Sequence, residues 1–327
     1  VPFIQAAKGV TLAGVVARAP QTIARVKADL PDTPVFPSLD AMIAAGVADA
    51  VTITTPPQTR RELVLEAIDA GLHVVADKPF APSAEAGREL NHAAKTKGIT
   101  LGVFHNRRWD ADVLTLKAVI DSGAVGRLWR VHSRMDFDDP NTLEAGPTGG
   151  LLRDLGSHLV DQALWLLGPA RSVNAELDIV ERPEGSTDAS FVLNISHATG
   201  VHSHISASKL NHLAVREFRA YGDLGSYVAS GTDVQAQAIF AGKRPADDLS
   251  GWGYEQPERW GTLRTAEGER RVPSEQGRYH AYYEGFAEAV RTGGQPPVTA
   301  DEAIAVLAVL DAARKSATEG RVVGLET

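Results

Sequence analysis

The sequence contains no cysteine, and that absence removes disulfides, thiolate metal sites and a cysteine nucleophile together. It has no apolar run near the roughly 18 residues that a membrane-crossing helix needs. No charged start with an apolar core marks a secretory leader, so the cytoplasm is the expected location. Positive charge is in deficit: 33 Lys and Arg stand against 41 Asp and Glu, for a net charge of −8. A negative field repels nucleic acid and anionic lipid alike, so no nucleic acid and no membrane is expected as partner, and a small molecule is. What is present, 43% hydrophobic and 23% charged residues, is ordinary for a globular protein. At 327 residues the chain exceeds one common core, and two domains sharing a cleft are expected.

The first half alternates β-rich runs with amphipathic stretches, the pattern of βαβ units on a parallel sheet. Strands are expected at 10–16, 48–54, 73–76 and 99–104, and helices at 22–30, 60–70 and from Ser83 to the stop at Gly98. Beyond a helix at 112–122 the rhythm changes. A half-buried strand at 127–135 leads into a Pro/Gly-rich loop at 139–150, long enough to be functional. A helix at 155–167 stops at Gly168-Pro169, and strands at 173–181, 189–197, 201–208 and 216–221 read as an antiparallel meander with one open face. Helices at 279–292 and 300–318 close the chain, the latter with Ile304, Leu307, Leu310 and Ala313 as its apolar stripe. The expected class is thus a Rossmann-type parallel-sheet domain, 1–105, joined to an open, mostly antiparallel sheet flanked by helices, 106–327.

A second lack is local: no G-x-G-x-x-G phosphate turn occurs, and the first strand that would carry it is missing from the stretch beginning at Val1-Pro2-Phe3. Other cofactor signals are present. Thr54-Thr55-Pro56-Pro57 directly follows a strand, where parallel sheets open their ligand crevice. Arg18, past the 10–16 strand, stands where an acidic residue usually meets the adenosine ribose, and a guanidinium there pairs with a 2′-phosphate. NADP is therefore the expected cofactor, with NAD as the other choice.

Two segments carry chemistry: Ala76-Asp77-Lys78-Pro79 at a strand end, and Asp154-Leu155-Gly156-Ser157-His158 at a helix start. Residues four apart share a helix face, so Asp154 and His158 point into one pocket, with Asp161 or Gln162 a turn further. Hydride transfer from a carbinol needs a base for the hydroxyl proton and a cation for the developing oxyanion, and His158 and Lys78 are of those types. Asp154 would also serve as a helix N-cap, and Asp77-Lys78 as a solvated pair.

In order along nearly the whole chain, the sequence resembles the glucose-fructose oxidoreductase, inositol dehydrogenase and rhizopine-catabolism (Gfo/Idh/MocA) family. The likeness lies in Thr55-Pro56, Ala70 to Val74, Asp77-Lys78-Pro79 as a variant of E-K-P, Asn106-Arg107-Arg108-Trp109-Asp110, Gly149 to Leu152, Asp154 to His158, Gly222 to Gly225 and Ser316 to Gly320. The resemblance implies an NADP-dependent oxidoreductase acting on a polyol, sugar or related carbonyl compound. It implies that Lys78 contacts the reacting hydroxyl, that Asp154 positions substrate and that His158 transfers the proton. Asn106, Arg107 and Trp109 would border the nicotinamide and substrate pocket, with Trp109 packing there. Cofactor contacts would come from Thr54, Thr55, Pro56, Asp77, Lys78 and Pro79. A homodimer or homotetramer through the open sheet is also implied. Pro57 and Arg60 depart from the family's T-P-N-x-x-H and receive no role. The competing class is a catalytically silent relative that binds a ligand or regulates, because fold alone does not fix function.

Two further groupings are weaker. His197, His202, His204 and His212 form a histidine-rich stretch in which His202 and His204 share a strand face, short of the ligands a zinc site needs. Arg127, Arg130 and Arg134 with Trp129 read as a solvated strand face in a chain this acidic.

Overall fold

The computed structural model describes residues 1–144 and 149–325. Its first part is built of βα units: α1 (Pro2–Ala6), β1 (Val15–Val16), α2 (Pro20–Asp29), β2 (Val35–Phe36), α3 (Leu39–Ala45), β3 (Ala50–Ile53), α4 (Pro57–Asp69), β4 (His73–Asp77), α5 (Ala84–Lys97) and β5 (Leu101–Phe104). The helix ends follow from local chemistry. The Ser38 and Ser83 hydroxyls accept the N–H of Ala41 and Ala86, and Gly46 and Gly98 end their helices in the left-handed conformation that glycine adopts without strain.

The parallel strands form two separate ladders, β1–β2 and β3–β4–β5. The strand expected at 10–16 is correspondingly short. Only Val15 and Val16 have a ladder partner, in β2, and among the described residues 10–14 pair with no strand. Gly14 lies so close to the Phe36 ring that a Cβ there would sit 2.6 Å from it. The sequence reading also passed over β2 and α3, both short.

The second part continues with a 3-10 turn (Asn106–Trp109), α6 (Ala111–Asp121), β6 (Leu128–Asp136), α7 (Leu151–Leu167), β7 (Ala170–Val180), β8 (Thr187–His197), β9 (His202–Ser208), β10 (Val215–Gly222), β11 (Gly225–Ser230), α8 (Val234–Phe240), β12 (Thr262–Thr265), β13 (Gly268–Arg271), α9 (His280–Thr292), α10 (Ala300–Glu319) and β14 (Val323–Gly324). Nine strands make one sheet in the order β13-β12-β11-β10-β6-β9-β8-β7-β14. The expected four-strand meander is broken: β6 inserts between β9 and β10 and runs parallel to β9. The reason is the crossover. β6 feeds α7 across one face of the sheet, and the hairpins β7–β8–β9 then return to the free edge of β6.

Helix α7 begins at Leu151, four residues before the expected start, with Gly150 as N-cap. Asp154 therefore lies inside the first turn and is not the cap. Leu151, Leu152, Leu159 and Val160 are buried in the main core with Phe191, Leu193 and Ile205 from β8 and β9. Each fully buried leucine contributes about 1.5–3 kcal/mol. Helix α10 carries a capping box between Thr299 and Glu302 and buries the expected Ile304, Leu307, Leu310 and Ala313. It reaches back to the first part of the chain: Asn91 and Lys95 of α5 bind Asp301 at 2.6 and 2.9 Å, and Asp311 accepts the N–H of Ala84 at 2.9 Å. The two halves are thereby braced around the end of β4.

Candidate active site

Strand β4 ends at Asp77, and the next residue, Lys78, begins a cis peptide to Pro79. The Lys78 ammonium donates to the Asp154 backbone carbonyl at 3.0 Å and to Asp154 Oδ1 at 2.8 Å. Two of its three protons are engaged, which leaves one for a ligand oxygen. Asp154 meets a second cation that the sequence reading missed: Lys209, just past β9, donates from Nζ to Asp154 Oδ2 at 3.3 Å and to the Thr142 carbonyl at 3.1 Å. Burial pushes the Asp154 carboxyl up, but Lys78 and Lys209, by charge and hydrogen bond, hold it below its ordinary value.

One turn along α7, His158 is buried, and its Nδ1 has no hydrogen-bond partner among the described residues. Burial first, then the charges of Lys78 and Arg107, hold its pKa well below 6.5. The imidazole is therefore neutral at neutral pH. Asp154 and His158 thus share a face as expected. Asp161 does not join them: Arg108 grips it from Nε at 2.9 Å and from its terminal nitrogen at 2.7 Å, and also binds Glu302 at 2.8 Å. Gln162 donates to the Arg107 carbonyl at 3.3 Å.

The other expected contacts fall into two groups. Thr54 and Pro56 are exposed at the end of β3, and Thr55 Oγ1 is buried without a partner among the described residues. Asp77 accepts the Lys78 N–H at 2.9 Å, and burial pushes its carboxyl up against the pull of Lys78 and Arg60. Asn106 is half-buried on the 3-10 turn. Arg18 is exposed after β1, its Nε donating to the Pro37 carbonyl at 3.3 Å. Arg107 and Trp109 are already engaged within the protein. Arg107 binds Asp233 at 3.0 Å and Asp110 at 3.3 Å, while Trp109 meets the edge of Tyr282 at 5.5 Å. Beneath them lies a buried ionic layer in which Arg216 holds Asp110 and Asp112, and the Tyr279 hydroxyl donates to Asp110.

Arg60, to which the sequence reading gave no role, is 4% exposed. It donates to the Thr55 carbonyl at 2.6 Å and to the Pro79 carbonyl. One guanidinium thus ties the turn after β3 to the loop after β4. A clue existed, since Arg60 stands four and seven residues before Val64 and Ala67 on the buried stripe of α4. Lys209 had no such clue, because only the strand order brings it to Asp154.

These residues fit the reactive end of a nicotinamide dinucleotide. Thr54 and Pro56 lie exposed at the end of β3, Thr55 Oγ1 has no partner among the described residues, and past β4 a lysine with a spare proton binds the helix that carries a neutral histidine. The histidine-rich stretch does not converge. His197 is buried between the Gly168 carbonyl and Ser203, His202 and His204 lie on the open sheet face, and His212 is exposed beside Asp138. Among the described residues no three potential ligands form a metal-holding group. Of the arginines near Trp129, Arg134 pairs with Asp136 and Arg127 with Asp223. The 139–150 loop lies partly outside the described residues, at 145–148.

Comparison with known proteins gives consistent matches. Residues 1–105 match the model of an oxidoreductase family with an NAD-binding Rossmann fold, GFO/IDH/MocA, and residues 113–228 match the GFO/IDH/MocA C-terminal domain. The scyllo-inositol 2-dehydrogenase (NADP(+)) IolW of Bacillus subtilis (strain 168) is 34% identical over 310 residues, covering 92% of this chain and 86% of that protein. The uncharacterized oxidoreductase YdgJ of Escherichia coli (strain K12) is 34% identical over 326 residues, covering 97% and 91%. Among solved structures, an oxidoreductase from Bacillus cereus superposes with a TM-score of 0.87 at 25% identity, covering 100% of this chain and 94% of that one.

Proposed function

The chain belongs to the GFO/IDH/MocA family of NAD(P)-dependent oxidoreductases, and from that premise we propose that it moves a hydride between NADP and a polyol, sugar or related carbonyl compound. The observation that carries the reading is the Lys78–Asp154 pair beside a buried, neutral His158 at the end of β4. Lys78 would use its free N–H to hold the reacting oxygen and stabilise the charge that develops on it. His158 would take the hydroxyl proton in oxidation and return it in reduction. Asp154, held ionised, would orient the neighbouring hydroxyl. Bound nicotinamide would accept or supply the hydride at the carbinol carbon. The turn at Thr54, Thr55 and Pro56, with Asp77, Pro79, Asn106 and Arg107, would border the dinucleotide, and Trp109 would wall the substrate side.

Preference for NADP rests on Arg18, whose exposed guanidinium suits a 2′-phosphate, and on the NADP(+) in the name of the B. subtilis relative. We assign 1–105 to nucleotide binding and 106–327 to substrate binding and to association of copies through the open sheet face. The test has two stages. NADP(H) at a hundred times its dissociation constant should stabilise the fold by about 2.7 kcal/mol, read as a rise in Tm larger than NAD(H) gives. Turnover of scyllo-inositol with NADP+, measured as NADPH absorbance, should then fall at least about a hundredfold in Lys78→Met and His158→Ala, the typical worth of a general acid–base group. Unchanged turnover in either variant overturns its role, and cofactor binding without turnover of any polyol or sugar would leave a silent binding protein.

A further inference from the structure

The site holds one cation more than the proposed chemistry uses. Lys209 follows the last residue of β9, and its side chain is 8% exposed. Its ammonium donates to the Thr142 carbonyl and to Asp154 Oδ2, so two of its three protons are engaged and the third is free. Lys78 occupies the other carboxylate oxygen, Oδ1, and is likewise left with one proton. Two ammonium groups therefore flank one carboxylate, each with a single unused donor. Such a lysine would be an expensive way to brace the fold, because side-chain entropy and desolvation oppose its burial.

We propose that Lys209 is a second positioning residue of the hydride-transfer site: it fixes the outer oxygen of Asp154 and offers its remaining N–H to the substrate oxygen next to the one that reacts. The inference rests on the function proposed above and narrows its substrate class to compounds with vicinal oxygens. Lys78 takes the reacting oxygen, Lys209 the adjacent one, and Asp154 accepts a hydrogen bond from the adjacent hydroxyl. The charged and titratable groups facing Asp154 are Asp77 and Lys78 from the end of β4 and Lys209 from the end of β9. Of these, only the two lysines keep the carboxylate charged. Removing Lys209 shifts Asp154 upward and frees its carboxylate to rotate.

The test compares wild type, Lys209→Met and Lys209→Arg, with scyllo-inositol and NADP+, as kcat/KM from pH 3 to 9, a window that reaches the acidic side of Asp154, whose carboxyl is held below its ordinary value. In Lys209→Met the neutral-pH value should fall about tenfold, one hydrogen bond to a charged donor. Its acidic limb should move up by about one pH unit, the lower end of what one close opposite charge imposes. Lys209→Arg should restore the limb, and a limb unchanged in Lys209→Met overturns the proposal, whatever happens to Tm. A wild type inactive on scyllo-inositol would count against the substrate reading alone. The cradle is then decided by the 13C carboxyl titration of Asp154 in cofactor-free protein, assigned with Asp154→Asn: an upward shift in Lys209→Met supports it and a fixed midpoint overturns it.

Discussion

Arg60 shows how far one buried side chain can reach. Its two charge-assisted hydrogen bonds end on carbonyls of different loops, Thr55 after β3 and Pro79 after β4. Burial lowers its pKa, and the nearby Asp77 carboxylate counters that. Each such bond is worth about 1.5–3 kcal/mol, and truncation also leaves one half-buried and one buried carbonyl without this donor. Arg60→Met should therefore lower Tm and weaken NADPH binding about tenfold or more, since one lost bond of about 1.4 kcal/mol already amounts to a factor of ten. A fluorescence titration of NADPH checks it, and an unchanged dissociation constant would confine Arg60 to a bracing role. The sequence made Lys78, Asp154 and His158 legible because strand ends and four-residue helix spacing are local signals. Arg60 was half-legible, an arginine on an apolar stripe. Lys209 was illegible, because its partner Asp154 is 55 residues away and only the sheet's strand order brings them together.

The 3-10 turn at Asn106–Trp109, α6, α7 and β10 enclose a second layer of charge below the site, and it makes the fold sensitive to acid. His105, just before the turn, is 2% exposed. Burial pushes its pKa down from 6.5 to about 4; Asp161 opposes the shift, and Arg108 and Lys78 add to it. A histidine whose folded pKa is depressed favours the neutral form, so its contribution is complete above pH 6.5 and lost as pH falls towards 4. The span corresponds to about 3 kcal/mol, at about 1.4 kcal/mol per unit. Asp112 has the opposite sign. Pushed up to about 6 by burial, against the pull of Arg216, it stabilises the fold at low pH and loses that contribution as pH rises through 6. His105→Gln should therefore flatten the fall of Tm between pH 6.5 and 4. A scan of Tm against pH as steep as that of wild type would show that other groups, His158 first among them, carry the acid limb. None of this layer was visible in the sequence beyond the Asn106 to Asp110 motif, because its partners come from 126, 104 and 53 residues away.

At the scale of the molecule, the nine-stranded sheet has one face under α7 and the other open. Strand alternation made that openness legible, but the order of the strands was not, because β6 and β9 pair across an entire helical crossover. On the open face the register sets Asn194, His204, His132 and Arg219 in one row across β8, β9, β6 and β10, with Val192 and Val228 among the exposed apolar residues of that face. The His132 and His204 rings lie 4.7 Å apart, edge to face. Partial burial, together with neighbouring Arg130, lowers both pKa values, so both rings are neutral at pH 7.5. If copies associate here, light scattering at pH 7.5 should give a multiple of 34.8 kDa. Val192→Arg, on β8 of that face, should return the monomer mass, because an unpaired charge buried between sheets costs several kcal/mol. The same logic fixes the direction of the pH effect. As pH falls towards 5, protonation places two like charges side by side at the centre of the contact, and the assembly should dissociate while each fold stays intact. An assembly mass that does not change with pH or with Val192→Arg would move the contact elsewhere on the molecule.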